Sequence, residues 1–171
     1  MKEFSIESQR PRIIHPGNGH LYTIAGLAIT IKEPRVASQG SFSLYEALVP
    51  PHFALLPAHV HRQASEWFYV LNGTLAFTLD DETVMARTGT FVSIAPGVVH
   101  TFWNPTATAA TMLGFRSRPD FATYLAGLMT LLGPAGWPPV DLTPLLTFAT
   151  QFDQFSPDEA QELTGAQTCS V

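Results

Sequence analysis

Cysteine is all but missing: Cys169 is the only one among 171 residues. An intrachain disulfide is therefore impossible, and so is a cluster of thiolates around a metal. Charge is scarce too. Lys, Arg, Asp and Glu make up 13% of the chain, about half the usual share. The 9 basic and 14 acidic residues leave a net charge of −5, with no basic footprint for nucleic acid. Apolar residues reach 46%, which excludes disorder, since disorder needs low hydrophobicity and high charge. No long hydrophobic run is present. Ile13–Ile31 is nearly uncharged but contains His15, Pro16, Asn18 and His20. Phe121–Val140 is apolar only as far as Leu132, before Gly133-Pro134 and Pro138-Pro139. A bilayer needs about 20 apolar residues in a row, so no membrane span is expected. Met1–Arg10 carries Lys2, Glu3 and Glu7 without an apolar signal core, which predicts a cytoplasmic protein. Little charge also predicts that some surface is buried in a homodimer, with Leu21–Val49 as the candidate for part of the interface.

What is present reads first as strands. Runs rich in β-branched and aromatic residues recur between turn residues. They are Leu21–Ile24, Leu27–Lys32, Phe42–Val49, Phe53–Leu56, Glu66–Leu71, Thr74–Asp80, Thr83–Arg87, Thr90–Ala95, His100–Trp103 and Thr108–Arg116. Asn72-Gly73 is a strong hairpin signal; Asp80-Asp81 and Thr88-Gly89 mark the next turns. This spacing implies an all-β sandwich or barrel. After Arg118 the period changes. Phe121, Tyr124, Leu125, Leu128, Met129 and Leu132 follow helical spacing, with Pro119 before and Gly133 after. Leu142, Leu145, Leu146, Ala149 and Phe152 repeat it, with Pro144 tolerable in a first turn. Ser156-Pro157-Asp158-Glu159 has the form of a capping box opening a last short helix. There is no internal repeat. The expectation is one domain over 1–171, with a strand-rich body at about 20–117 and a helical tail at about 118–163. The tail either covers one face of the body or forms a lid over a site.

Three histidines and one glutamate carry the chemistry. His59 and His61 alternate onto one face, because successive side chains of a strand point opposite ways. Glu66 opens the next strand, and His100 lies further along. Three imidazoles and a carboxylate suit one divalent first-row metal, with positions left for water, substrate or dioxygen. These residues belong to a larger pattern, His59-x-His61-x4-Glu66-x6-Gly73 followed by Gly89-x7-Gly97-x2-His100-x3-Asn104. It resembles the two signature motifs of the cupin superfamily, and the 15 residues from Thr74 to Thr88 resemble the short gap of single-domain microbial cupins. Phe53 stands where a glycine is usual and Ala95 where a proline is usual; both positions shape turns rather than bind metal. The resemblance implies a jelly-roll β-barrel with His59, His61, Glu66 and His100 as ligands inside it. The metal could be Fe, Mn, Ni, Co, Cu or Zn. Gly73 and Gly97 are expected at turns with positive φ, and Asn104 is expected to order the loop after His100. His15, His20 and His52 lie outside the motifs and are expected to be ordinary.

Alternation from Glu66 places Phe68 and Val70 on its face, and Phe102 shares the face of His100. No Lys or Arg lies between Arg62 and Arg87 to clamp a phosphate or carboxylate. These apolar residues either wall a pocket for a flat aromatic molecule or simply fill a tight core. The tail, Arg118–Pro157, resembles the C-terminal region of quercetin-dioxygenase-like monocupins. That likeness implies opening of a flavonol's oxygenated ring with dioxygen and loss of carbon monoxide, with Glu66 accepting the substrate's hydroxyl proton. Two other classes stand beside this one. One is a small-molecule-binding or regulatory cupin without turnover; the other is a metal-assisted isomerase or cyclase. The residues preceding His59 read as strands and loops, so a fused DNA-binding helix-turn-helix is not expected.

Overall fold

A computed structural model of the chain describes residues 13–33, 41–54, 56–133, 136, 139 and 141–159. Among these, nine strands precede two helices. The strands are β1 (His20–Ile24), β2 (Leu27–Glu33), β3 (Ser43–Val49), β4 (Glu66–Asn72), β5 (Thr74–Leu79), β6 (Glu82–Arg87), β7 (Phe91–Ile94), β8 (His100–Trp103) and β9 (Ala110–Arg116). The helices are α1 (Phe121–Leu132) and α2 (Thr143–Thr150). Nine of the ten expected strands are found. Phe53–Leu56 is not one: Phe53, Ala54 and Leu56 are irregular, and Leu55 lies outside the described residues. Pro50-Pro51 and Pro57 flank this segment, and proline cannot donate to a ladder. Its carbonyls are taken elsewhere, by the N–H of Asn104 on Phe53 (2.8 Å) and the hydroxyl of Thr101 on Leu56 (2.8 Å).

The strands form two antiparallel sheets, β1-β2-β3-β9-β4-β7 and β6-β5-β8. Pleating sorts their side chains. In β3, Ser43, Tyr45, Ala47 and Val49 are buried while Leu44, Glu46 and Leu48 face out. In β9, Ala110, Met112, Gly114 and Arg116 point inward in the same way. Two packed antiparallel sheets are consistent with the expected jelly roll, but no strand pairing joins them into a closed barrel among the described residues. Apolar packing bridges the gap between them instead. The Phe68 ring of one sheet lies 5.4 Å from that of Phe77 and 6.1 Å from that of Phe102 in the other.

Asn72-Gly73 is likewise no hairpin. β4 and β5 belong to different sheets, and Gly73 is the corner where the chain crosses between them, at φ +83°. A Cβ there would lie 2.9 Å from that of Ala110, so the corner needs glycine. A register shift between Val70 and Asn72 in the β4–β9 pairing supplies the bend. Asp80-Asp81 is a true two-residue hairpin, with Leu79 opposite Glu82. The helices fall where their spacing predicts. α1 buries Tyr124, Leu125, Leu128 and Leu132, and α2 buries Leu145 and Ala149, all within the core that the strands build. Ser156 and Glu159 make the reciprocal bonds of the capping box, each backbone N–H donating to the other's side-chain oxygen; the expected last helix opens there, and its continuation past Glu159 and most of the Gly133–Pro139 connector lie outside the described residues. No helix among the described residues is long and apolar enough to cross a membrane.

Candidate metal centre

His59 and His61 lie between β3 and β4, on a stretch that is strand-like only in part. His59 pairs with His100 through two backbone hydrogen bonds of 3.0 and 2.8 Å, and the carbonyl of His61 accepts the N–H of Gly97 at 2.7 Å. These bonds hold the first histidine pair against the start of β8, where His100 stands. Glu66 begins β4, the next strand in sequence. The structure brings the four together: one ligand atom from each of His59, His61, Glu66 and His100 lies within 4.8 Å of every other. At metal–ligand bonds of about 2.1 Å, opposite ligands sit about 4.2 Å apart, so only a small contraction separates this cluster from a coordination sphere.

The hydrogen-bond chemistry of the imidazoles tests the fit. Nδ1 of His59 faces the carbonyl of Pro57 (3.2 Å), Nδ1 of His61 that of Asp153 (2.5 Å) and Nδ1 of His100 that of Val98 (2.9 Å). A carbonyl only accepts, so in each ring Nδ1 carries the proton and Nε2 carries the lone pair. Nε2 of His61 and of His100 are buried without a hydrogen-bond partner. They stand 3.3 and 3.4 Å from the two carboxylate oxygens of Glu66. Acceptors facing acceptors in a buried site demand a cation, and imidazole nitrogens with a carboxylate oxygen suit a divalent transition metal. The cluster fits a metal ion.

Charge is tuned around it. Burial, and then the neighbouring His100 and His61, push His59 down from 6.5 to about 3, so its ring stays neutral. Burial alone would raise the Glu66 carboxyl; in the metal-free protein, hydrogen bonds from the His100 and His61 rings, which need a proton at the Nε2 side that a metal would replace, and the Arg116 guanidinium more than offset it, and Glu66 is held well below 4.5. Arg116 lies outside the Arg62–Arg87 stretch that carries no other basic residue. It lies opposite Glu66 in the β4–β9 register, is wholly buried, and brings Nε to 3.7 Å from the carboxylate. The strand pattern held its signal: a lone Arg at the end of an apolar strand, on the inward parity of Ala110, Met112 and Gly114.

The cluster opens into a cavity of about 120 Å³. Glu66, Phe68 and Phe102 line it as alternation predicts, together with His59 and His100. Val70 does not. It is completely buried on the same face of β4, but two residues further along, in the core beyond the cavity. Glu66 is the sole Asp, Glu, Lys or Arg among the lining residues. Tyr45, Tyr124 and Gln154 also line it and were not singled out from sequence. Burial, with the carboxylate of Glu66 adding to it, pushes the Tyr45 hydroxyl well above 10. Its ring occupies the space a Cβ would take at Gly114, directly opposite it in the β3–β9 register. Far from merely covering the sheets, α1 and α2 wall the cavity with Phe121, Leu125, Leu128, Leu145 and Ala149. The other expected features serve structure. Asn104 donates to the carbonyls of Val49, Pro50 and Thr108 and accepts from Thr106, ordering the loop after β8. Gly97 takes φ +89°. His15, His20 and His52 are exposed and outside the cluster.

Residues 45–115 match the family model described as a cupin domain. No curated protein matches the chain in sequence. Among solved structures, a polyketide cyclase from Streptomyces resistomycificus is similar at 20% identity and TM-score 0.57, over 64% of this chain and 82% of that one. A predicted oxalate decarboxylase from Thermotoga maritima is similar at 16% identity and TM-score 0.58, over 63% and 99%. A sugar phosphate isomerase of a cupin superfamily from Silicibacter pomeroyi is similar at 21% identity and TM-score 0.50; here the match covers 56% of this chain and 61% of that one. At these identities the likeness is one of fold. The family model and the shared fold together support a cupin domain over residues 45–115, with a His/Glu cluster compatible with a metal ion inside it.

Proposed function

We propose that the chain is a metal-dependent cupin enzyme, a dioxygenase acting on a flavonol-like or other enolic aromatic substrate. The observation that carries the reading is the contrast within one cavity: His59, His100 and the Glu66 carboxylate at one pole, with His61 completing the cluster behind them, and almost wholly apolar walls elsewhere. A divalent ion held by His59, His61, Glu66 and His100 would supply Lewis-acid polarisation of a substrate oxygen. The protein's own groups do the rest. Glu66, kept ionised by Arg116 behind it, is the base that accepts the enolic proton. Phe68 and Phe102 offer ring faces and edges to a flat substrate. A cavity of this volume takes about one benzene-sized ring, so a larger flavonol seats its oxygenated ring at the cluster and needs the α1–α2 wall to give way for the remainder.

That no Lys or Arg lines the cavity among the described residues also weighs against two chemistries. A phosphate or a dicarboxylate would find no counter-charge beyond the metal, which disfavours sugar phosphates and oxalate as substrates. The same apolar walls equally suit a polyketide-like molecule, so a metal-assisted cyclase is the second reading. Dioxygen separates the two. Metal-reconstituted protein is incubated with a flavonol in air and under anaerobic conditions, and the loss of visible absorbance is followed. Loss in air alone supports the dioxygenase. Unchanged absorbance in both, with near one equivalent of bound metal by elemental analysis, removes that activity and leaves the cyclase or a non-catalytic binder.

A further inference from the structure

The ligand-bearing segment His59–Ser65 is held by residues some ninety positions later in the sequence. The Asp153 carboxylate accepts the backbone N–H groups of Arg62 (3.1 Å), Gln63 (2.9 Å) and Ala64 (2.7 Å), and the Asp153 carbonyl accepts Nδ1–H of His61 (2.5 Å). Asp153 does both because its backbone sits at φ +61°, which turns carbonyl and side chain toward one segment; it is 6% exposed. On either side of it, Phe152 accepts from the Arg116 guanidinium through its carbonyl. Phe155 exchanges two 3.0 Å backbone bonds with Val60, and the Arg62 guanidinium lies 4.3 Å over its ring.

His59 and His100 are oriented locally, by carbonyls two residues before each of them. His61 differs. Its orienting acceptor comes from the C-terminal segment, and that acceptor fixes which nitrogen carries the lone pair and where the ring points.

We propose that Asp153 is a positioning residue of the metal centre, and that docking of Phe152–Phe155 sets the affinity of the site for metal through His61. The inference rests on the metal-centre reading above. Linkage makes the coupling reciprocal: a metal bound to Nε2 of His61 stabilises the docked segment by as much as the docked segment strengthens metal binding. Gln154 and Ala149, on and just before this segment, wall the cavity, so metal occupancy and closure of that wall support each other.

Cobalt(II) titration of the metal-free protein tests this, with the parent compared to D153G and D153N. Glycine accepts the positive φ and deletes all three carboxylate bonds; asparagine also tolerates that φ and keeps part of the acceptor set. The expected result for D153G is cobalt affinity weakened by about ten- to a hundredfold, with D153N between it and the parent. The cobalt d–d spectrum should show an altered ligand field in D153G. In the parent, hydrogen exchange at the amides of Val60 and Phe155 should slow when cobalt is added, and in D153G this response should shrink. A merely structural Asp153 would lower the melting temperature of the metal-free protein and leave cobalt affinity and spectrum unchanged; that result in either variant overturns the proposal. A parent chain that binds no cobalt overturns the metal-centre reading and this inference together. A parent that binds cobalt with D153G unaltered overturns this inference alone.

Discussion

On the proposed reading, Glu66 has a different job from the three histidines that share its cluster. They are fixed as neutral donors by backbone carbonyls, whereas Glu66 has Arg116 at 3.7 Å and the cavity in front. Glu66→Gln should therefore keep most of the metal, through His59, His61 and His100, while the rate falls by about a hundredfold or more, the usual cost of losing a general base. Metal content and single-turnover rate measured on the same sample check it; a parent-like rate would reduce Glu66 to a structural ligand. Acid acts on the same residues. In the unfolded chain His59 takes up a proton near 6.5, but in the folded metal-free protein only near 3. Between those values the unfolded state binds more protons, so stability must fall as pH drops. Glu66 works in the same direction below 4.5, since its folded carboxyl stays ionised to lower pH than the unfolded one. Urea unfolding of the metal-free protein across this window should show a steady loss toward acid. Stability that is flat or rising from pH 6.5 downward would contradict the lowered proton affinity of His59.

At the scale of elements, contact between the two helices sets a sign that propensity alone would get wrong. Gly127 lies inside α1, where alanine is worth about 1 kcal/mol more than glycine. A Cβ at Gly127, however, would overlap the Phe148 ring of α2, and forced overpacking costs about 1–3 kcal/mol. The Phe148 ring also packs on Tyr124 and Phe152, with centroids 6.1 and 5.0 Å away, so it has little room to yield. Gly127→Ala should lower the melting temperature by several degrees, and a truncated neighbour, Phe148→Ala, should make the same change neutral or favourable. Calorimetry on the two single variants and the double variant decides it. A rise in melting temperature for Gly127→Ala alone would show that α1 and α2 are not packed this closely.

For the whole molecule, the outer face of the six-stranded sheet, among the described residues, carries a run of exposed apolar side chains. Leu21, Leu48, Tyr69, Leu71 and Phe91 are exposed along it by 43 to 60%. Its charged residues include Lys32 and Glu46, which neutralise each other at 3.4 Å. We propose that a second copy of the chain covers this face, an arrangement that a two-fold axis allows because a neutral apolar patch is self-complementary. Leu21 and Leu48 lie within the N-terminal strands where low charge had pointed to an interface. Sedimentation should give about twice the 18.7 kDa of one chain, and Tyr69→Glu should return it to one. A parent particle of 18.7 kDa at micromolar concentration would refute the dimer.

The sequence by itself determined most of the elements and all of the candidate metal ligands, because both are written in short-range patterns. Strand alternation, helical spacing and the His59-x-His61 and Glu66 spacing depend on neighbours a few residues apart. Where a local signal misled, long-range pairing was the reason. Asn72-Gly73 has the chemistry of a hairpin, yet β4 finds β7 and β9 while β5 finds β6 and β8, so the same glycine became a corner between sheets. Val70 has the right parity but sits too far along β4 to reach the cavity. Arg116 was legible in the pattern of β9, but its meeting with Glu66 depended on the β4–β9 register. Asp153 carried no signal at all: its partner His61 is 92 residues away, and no periodicity spans that distance. Local propensity and alternation act through neighbouring backbone. Which sheets pair, and which distant segment fills the last gap around the cluster, is settled only by packing the whole chain.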